Sequence, residues 1–160
     1  MHYLERKDRI ISHYTVCKSK IRNKAALLQA LEDMGFTKGM IQVHDKAVAL
    51  EGYQGDKRKD TAEIILPRRY VGGASNDIGF KLQEDGSYAA IISAYDSKSN
   101  QAKKTKYTQT GSYNTDWLDK LTQRYAYHNI KGELSVQGFT IESETNENGE
   151  IFLEVGTQYY

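Results

Sequence analysis

The sequence predicts a single α+β domain in which a mostly antiparallel sheet carries two helices on one face. Three observations predict this class. Short segments rich in β-branched and aromatic residues are separated by turn residues, as expected for hairpins. Two longer segments have apolar residues at helical spacing. Because no strand-helix-strand unit repeats along the chain, the expected element order is β-α-β-β-β-β-α-β-β.

The first helix has the most complete set of local features. Asn23 is a residue type that caps helix N-termini, and Gly35 is the type that ends helices in a left-handed conformation. Between them, apolar residues recur on one face of the helix, namely Leu27, Leu28, Leu31 and Met34. A strand is expected directly before this helix, at residues 13–21.

The middle and the end of the chain predict six further strands. They are expected at residues 41–50, 61–66, 77–82, 88–95, 139–143 and 151–155. Pro67 ends the second of these six strands, because proline cannot donate a backbone hydrogen bond. The most distinct hairpin joins residues 77–82 to residues 88–95 through the turn at Asp85 and Gly86.

The second helix is expected at residues 117–137 and carries two apolar stripes. The stripe expected to face the sheet contains Trp117, Leu121, Tyr125 and His128. A second stripe, on another side of the helix, contains Tyr127, Ile130 and Leu134. Two such stripes predict that the helix is covered twice, either by another element of the chain or by a second copy in a homo-oligomer.

His128 lies near the middle of the first stripe. A histidine in such a position is most often a neutral core residue with a hydrogen-bond partner. The alternative is a proton donor or a ligand, because histidine is the side chain whose charge changes most readily near neutral pH.

Composition indicates a globular protein with little overall charge. Twenty-two basic and 21 acidic residues give a net charge of +1, so no whole-molecule field attracts nucleic acid or an anionic membrane. We expect one domain over residues 1–160, with a mobile N-terminal extension at about 1–11 and a long basic loop at about 97–113. The chain begins without the apolar segment of a signal peptide, so a cytoplasmic location without a membrane partner is expected.

Tyrosine is unusually frequent, with 12 among the 160 residues. A tyrosine ring packs well on a half-buried strand while its hydroxyl stays hydrated, so a tyrosine-rich sheet is the simplest interpretation. The alternative is an aromatic binding face.

Basic residues are concentrated in three segments that could contact phosphate groups. These residues are Lys57, Arg58 and Lys59, then Arg68 and Arg69, and then Lys103, Lys104 and Lys106 in the long loop. Tyr70 and Tyr107 lie among them, so a nucleotide or a single-stranded nucleic acid is one candidate ligand. The alternative is that these charges form an ordinary solvated surface.

Catalytic, cofactor-binding and metal-binding patterns are not evident, and none is predicted. Cys17, the only cysteine, lies in a predicted strand and is expected to be a small buried side chain. The four histidines lack the close spacing of metal ligands. The glycine pairs lack the spacing of a phosphate-binding loop.

The segment from Leu121 to His128, with the sequence LTQRYAYH, resembles the most specific motif of the hypothetical-chloroplast-reading-frame-thirty-five family. The resemblance extends to residues 12–15, 28–35, 52–55, 76–80 and 85–88. That family is a domain of unknown function found in plastids, photosynthetic bacteria and some of their viruses. The resemblance therefore implies a plastid, cyanobacterial or phage setting, including the plastid stroma or an infected host cytoplasm, but no mechanism. The motif positions that it singles out are Arg124, Tyr125, Tyr127, His128, His13 and Asp77.

Three functional hypotheses follow. The first is a non-enzymatic accessory protein that recognises another protein through a sheet edge or through the second helix. The second is a module that binds a nucleotide or single-stranded nucleic acid through the basic segments and tyrosines. The third is an enzyme, which requires Arg124, His128, His13 and Asp77 to converge on one pocket.

Overall fold

A computed structural model of the chain describes residues 2–6, 9–13, 21–98, 112–147 and 150–157. The strands in these residues are β1 (His2–Arg6), β2 (Arg9–His13), β3 (Gln42–Glu51), β4 (Lys57–Leu66), β5 (Ile78–Leu82), β6 (Tyr88–Ile91), β7 (Phe139–Glu147) and β8 (Glu150–Thr157). The α-helices are α1 (Lys24–Asp33), α2 (Arg68–Val71), α3 (Ala94–Ser97) and α4 (Thr115–Val136), and a 3-10 turn (Lys38–Met40) precedes β3. Among the described helices, none combines the length and the apolar composition needed to cross a membrane.

Both sheets are antiparallel and contain four strands. Strands from the two ends of the chain form the terminal sheet, in the order β1-β2-β8-β7, while β3, β4, β5 and β6 form the central sheet in chain order. The α+β class and the antiparallel pairing are confirmed. The expected single sheet is divided in two, because β8 pairs with β2 and β7 and not with a central strand.

The local features of α1 act as predicted. The side chain of Asn23 accepts a hydrogen bond from the backbone N–H three residues later, at 3.2 Å. Gly35 follows the helix with a φ of 102°, in the left-handed region. The Phe36 N–H then donates to the Leu31 carbonyl at 2.9 Å, which satisfies one of the last carbonyls of the helix.

Strand positions agree with the prediction better than strand ends do. β4 begins at Lys57, so the basic residues 57–59 lie in a strand and not in the expected loop. β6 ends at Ile91, and the short helix α3 occupies residues 94–97, where the sequence predicts a longer strand. Residues 14–20 of the strand expected at 13–21, and residues 99–111 of the expected basic loop, lie outside the described part of the chain.

The N-terminal segment contains two strands that the sequence does not predict. β1 and β2 form a hairpin, and β2 also pairs with β8, with His13 opposite Glu150. The expected mobility of residues 1–11 stays a prediction.

Helix α4 lies between two hydrophobic cores. The larger core joins α4 to α1 and the central sheet, and it contains Leu121 of α4 and Phe80 of β5. The second core joins α4 to the terminal sheet, and it contains Ile130 of α4 and Leu153 of β8. Other elements of the same chain therefore cover both stripes, which is one of the two predicted alternatives.

A third and smaller core consists of Leu50, Ala62 and Ile65. Gly79 of β5 packs closely against it. A Cβ atom at Gly79 would lie 2.7 Å from the Ala62 Cβ and 3.0 Å from a methyl group of Leu50. Glycine is therefore needed at this position for the strands to keep their present spacing.

The buried tyrosines lie in α4 or just before it and not in strands. Tyr125 and Tyr127 belong to α4, and Tyr113 lies just before it, with its hydroxyl donating to the Val71 carbonyl at 2.7 Å. Within the described ranges only Tyr3 and Tyr88 lie in strands. Within the described ranges the expected tyrosine-rich sheet is not found, because most of these tyrosines lie in helices, in turns or just before a helix.

Candidate functional site

Three motif residues of α4 connect this helix to the two ends of α1. At the N-terminal end of α1, the Tyr125 hydroxyl accepts hydrogen bonds from the backbone N–H groups of Arg22 and Asn23, both at 3.0 Å. The Asn23 side chain also donates to the Asn129 side chain at 3.1 Å. Tyr125 is buried, and its hydroxyl fixes the position of the start of α1 through these hydrogen bonds.

At the C-terminal end of α1, a group of charged residues meets at Asp33. The Arg124 Nε donates to Asp33 Oδ2 at 2.8 Å, and the His128 Nε2 lies 2.6 Å from the same oxygen. The Arg124 Nη1 donates to Glu144 Oε1 of β7 at 3.0 Å. Arg124 therefore connects α1 to the terminal sheet. We call Asp33, Arg124, His128 and Glu144 the Arg124 cluster.

Electrostatics within the Arg124 cluster favour the charged forms of Asp33 and Arg124. Burial alone would raise the pKa of Asp33, but the hydrogen bonds and charges of Arg124 and His128 outweigh it and lower that pKa. Burial alone would lower the pKa of Arg124, and the carboxylates of Asp33 and Glu144 raise it instead. Arg124 therefore remains charged while it holds two acidic residues from different elements.

Tyr127 packs beneath this cluster. The Arg124 guanidinium lies over the Tyr127 ring, 4.6 Å from its centroid, and the His128 ring meets it edge to face at 5.0 Å. Burial and the neighbouring Glu144 carboxylate raise the pKa of Tyr127. Like Ile130 and Leu134, Tyr127 is buried against the terminal sheet. These three side chains are therefore not accessible as the homo-oligomer surface that the sequence offers as an alternative.

The nearest cleft gives the Arg124 cluster little access to a substrate. This cleft has a volume of about 570 Å³ and lies between the end of α1 and the start of α4, with Asp33, Trp117 and Lys120 in its wall. Neither Arg124 nor His128 lines it. Among the described residues, no three His, Cys, Asp or Glu side chains are grouped so as to hold a metal ion. The four motif residues of α4 thus connect elements of the fold, and among the described residues neither Arg124 nor His128 lines this cleft.

Asp77 occupies a different part of the molecule. Its carboxylate accepts hydrogen bonds from the backbone N–H groups of Glu51 and Arg68, both at 2.8 Å. Burial raises the pKa of Asp77 more than these two bonds lower it. Asp77 therefore connects the β3–β4 hairpin to α2. Its hydrogen bonds do not involve His128, which pairs with Asp33. The side chain of His13 lies outside the described part of the chain.

The fold brings Lys57, Arg68 and Arg69 to one cleft, and it places Arg58 in another. Arg68 is occupied, because its guanidinium donates to the Tyr53 carbonyl at 3.0 Å and pairs with Glu51 at 3.4 Å. Arg69 is exposed, and its guanidinium lies over the Tyr70 ring. A cleft of about 430 Å³ is lined by both arginines and by Lys57. The loop residues Lys103, Lys104 and Lys106 lie outside the described ranges.

Arg58 has a different environment from its two lysine neighbours on β4. Lys57 and Lys59 are exposed, whereas Arg58 is half-buried. Arg58 lines a second cleft of about 650 Å³, together with Tyr53 and Tyr95. Because side chains alternate along a strand, the three basic residues of 57–59 do not form one continuous patch.

Sequence reasoning did not predict an apolar groove between α1 and β3. It has a volume of about 340 Å³ and is lined mainly by apolar atoms of Ala25, Leu28, Ile41 and Val43, with Gln29, Glu32 and Lys38 at its rim. Leu28 lies at the margin of the apolar stripe of α1, which is the feature that could have indicated a partly open groove. We call this feature the α1–β3 groove.

The chain belongs to the family described as Protein of unknown function (DUF1257), because the model of that family matches residues 30–153. This match confirms the predicted resemblance to a family of unknown function. No curated protein matches the chain, and no solved structure does. A plastid, cyanobacterial or phage setting stays a prediction.

Proposed function

We propose that this member of the DUF1257 family is a non-enzymatic accessory protein that binds an extended segment of another protein along the edge of β3. The observation that carries the proposal is the α1–β3 groove, an apolar depression that opens beside this edge strand. An extended segment can add to a sheet through main-chain hydrogen bonds, while side-chain pockets next to the edge provide specificity.

The position of β3 supports this mode of binding. β3 is an outer strand of the central sheet, and among the described strands only β4 pairs with it. Within the described strands, the backbone groups on its other side are therefore left for an added strand, except those of Glu51, which bond to Asp77. The two apolar stripes of α4, in contrast, are both covered, so a sheet edge is favoured over the second helix as the contact surface.

Two exposed apolar side chains lie on this edge strand. Val43 is 46% exposed and Val48 is 36% exposed, and both belong to β3. Val43 also lines the groove beside Ile41 and Leu28. An apolar side chain of a bound segment would displace water from this surface, which contributes about 25 cal/mol for each Å² of apolar area removed from water.

The sequence of β3 limits which segments can bind. The strand pairing shifts register between Val43 and Val48, and the exposed residues Asp45 and Lys46 lie in this irregular part. Bulges and charges on an edge strand oppose unselective pairing with other sheets. Glu32 and Lys38 at the rim of the groove place one charge of each sign beside it. The favoured occupant is thus a short extended segment with an apolar residue flanked by an acidic and a basic residue.

Photo-crosslinking tests this proposal. A crosslinkable residue at position 43 of the full chain should form adducts with a protein from the native host, and excess unlabelled wild-type chain should suppress them. Val43→Asp chain should fail to compete. Val136→Asp is the matched control, because Val136 is 89% exposed near the end of α4 and lies outside the groove.

The adducts should also form with a synthetic peptide taken from the crosslinked region of the partner. Competition by Val43→Asp as efficient as competition by wild type would overturn the proposal. A crosslinkable residue placed at position 136 that forms the same adducts in equal amount would overturn the proposal as well.

A further inference from the structure

The 650 Å³ cleft beside Arg58, which we call the Tyr53 pocket, is separate from the α1–β3 groove. It lies between the β3–β4 turn and α3, and the residues that line it are Tyr53, Asp56, Arg58, Ala74, Asn76, Ser93, Ala94 and Tyr95. Its volume is within the range of small-molecule and cofactor sites, roughly 300–1,000 Å³. The pocket combines aromatic rings with a few polar groups, which is the usual composition of such sites.

A buried hydrogen-bond network fixes the wall of the Tyr53 pocket. The Asn76 side chain accepts from the Tyr53 backbone N–H at 3.0 Å and donates to the Ser93 hydroxyl at 3.0 Å. Asp96 Oδ2 accepts from the Asn76 N–H at 3.0 Å and from the Ser93 hydroxyl at 2.8 Å. Because these bonds connect the turn to α3, the pocket is formed before any ligand binds.

Two polar atoms next to this wall have unused hydrogen-bonding capacity. Asp96 Oδ1 and Ser75 Oγ are buried and have no hydrogen-bond partner among the described residues. Ser75 lies between the lining residues Ala74 and Asn76, and Asp96 follows Tyr95. Neither Ser75 nor Asp96 lines the pocket, so these two atoms describe the layer behind its wall and do not identify the ligand.

The charge on Arg58 identifies one part of the ligand. Arg58 is half-buried and forms no ion pair among the described residues. A guanidinium that has lost part of its hydration without gaining a carboxylate favours a bound anion, and its fork of donors matches phosphate or carboxylate geometry. The ligand is therefore expected to carry an anionic group near Arg58.

The tyrosines identify the second part of the ligand. Tyr53 is 56% exposed, and its ring faces no other aromatic ring among the described residues. Tyr95 belongs to the same pocket. An exposed tyrosine ring beside a cation, such as Tyr53 beside Arg58, forms a stacking surface for planar heteroaromatic groups. Asp56 adds an acceptor for sugar hydroxyls or exocyclic amines.

We propose that the Tyr53 pocket binds a nucleotide, with the base against the tyrosines and the phosphate at Arg58. The nucleotide is either free or one unit of a single strand, because both sources carry the same ring and phosphate. Binding at this pocket does not depend on the segment that we propose for the β3 edge.

Calorimetric titration of the full chain tests the nucleotide proposal. The probes are the four common nucleoside 5′-monophosphates, the corresponding nucleosides, and a single-stranded oligonucleotide at low salt. At least one monophosphate should bind, and it should bind about tenfold or more tightly than its nucleoside, because only the monophosphate reaches Arg58. Tighter binding of the oligonucleotide would identify a single strand as the source, and tighter binding of the monophosphate would identify the free nucleotide.

Two pairs of variants separate the contribution of the Arg58 charge from that of the Tyr53 ring. Arg58→Gln should weaken binding by about tenfold or more, whereas Lys59→Gln, the same charge change one residue along β4 and outside the pocket, should leave it unchanged. Tyr53→Ala should weaken binding by about tenfold, and Tyr53→Phe should preserve it. The proposal is overturned if no probe binds at millimolar concentration, or if Lys59→Gln weakens binding as much as Arg58→Gln does.

Discussion

Replacing Asp33 with asparagine should destabilise the protein by about 1–2 kcal/mol, because it removes the carboxylate that joins α1 to α4. Asp33 accepts two short contacts, from Arg124 at 2.8 Å and from His128 at 2.6 Å. A hydrogen bond to a charged partner contributes roughly 1.5–3 kcal/mol when it is well shielded. The Asp33 side chain is 32% exposed, so solvent screening reduces the combined contribution to about the size of one such bond.

Urea unfolding, followed by the fluorescence of Trp117, measures this change directly. Trp117 is the only tryptophan and is buried in the core that α1 and α4 share. The matched control is Glu32→Gln, which removes an acidic charge from the same end of α1 at an exposed position. This control should change the free energy of unfolding by less than about 0.5 kcal/mol.

The effect should also depend on pH in a defined direction. Because the folded state lowers the pKa of Asp33 below 3.8, ionised Asp33 stabilises the fold fully above that value. This stabilisation is lost as the pH falls through the lower pKa of the folded state. The difference between wild type and Asp33→Asn should therefore narrow in acid. Equal stabilities of Asp33→Asn and Glu32→Gln at neutral pH would refute the role assigned to the Arg124 cluster.

Two further predictions concern packing. Tyr125→Phe removes the hydroxyl that accepts two backbone N–H groups, so it should cost about 1–3 kcal/mol in a urea titration, whereas Tyr53→Phe should cost almost nothing. Identical urea midpoints for these two variants would contradict the role of the Tyr125 hydroxyl at the start of α1. Gly79→Ala should lower the melting temperature, because the new methyl group would lie 2.7 Å from the Ala62 Cβ. Gly132→Ala, a helical position with no atom within 4 Å of the new methyl group, should raise the melting temperature instead, and a fall as large as that of Gly79→Ala would argue against the packing explanation.

The sequence predicted best those elements whose boundaries depend on neighbouring residues. Helix α1 is an example, because the Asn23 cap and the Gly35 stop act over three or four residues. The start of β4 was predicted too late, because Lys57 pairs with Glu51 through the backbone and this pairing does not require apolar side chains. The short helices α2 and α3 were missed, since four residues carry too little periodicity to indicate a helix.

The candidate sites were harder to predict because their parts come from distant positions. The hydrogen-bond partner expected for His128 is present, but this partner, Asp33, lies 95 residues away, and His128 is half-buried and belongs to neither core. Arg58 was grouped with its lysine neighbours, and only the fold places it in a pocket with Tyr95. The division into two sheets is likewise a long-range property, since β8 must pair with β2.

The enclosed position of α4 has a consequence for mutational tolerance. A helix at a protein surface normally has one face that accepts almost any polar residue. α4 has no comparable face along the LTQRYAYH segment, because Leu121 and Tyr125 lie in one core, Ala126 and Tyr127 lie in the other, and Arg124 is held by acidic partners. A scan of all single substitutions should therefore find this segment among the least tolerant, even under selection for folding alone. Low tolerance of substitutions in this segment would reflect the packing of two sheets on one helix. By itself it would not indicate an active site.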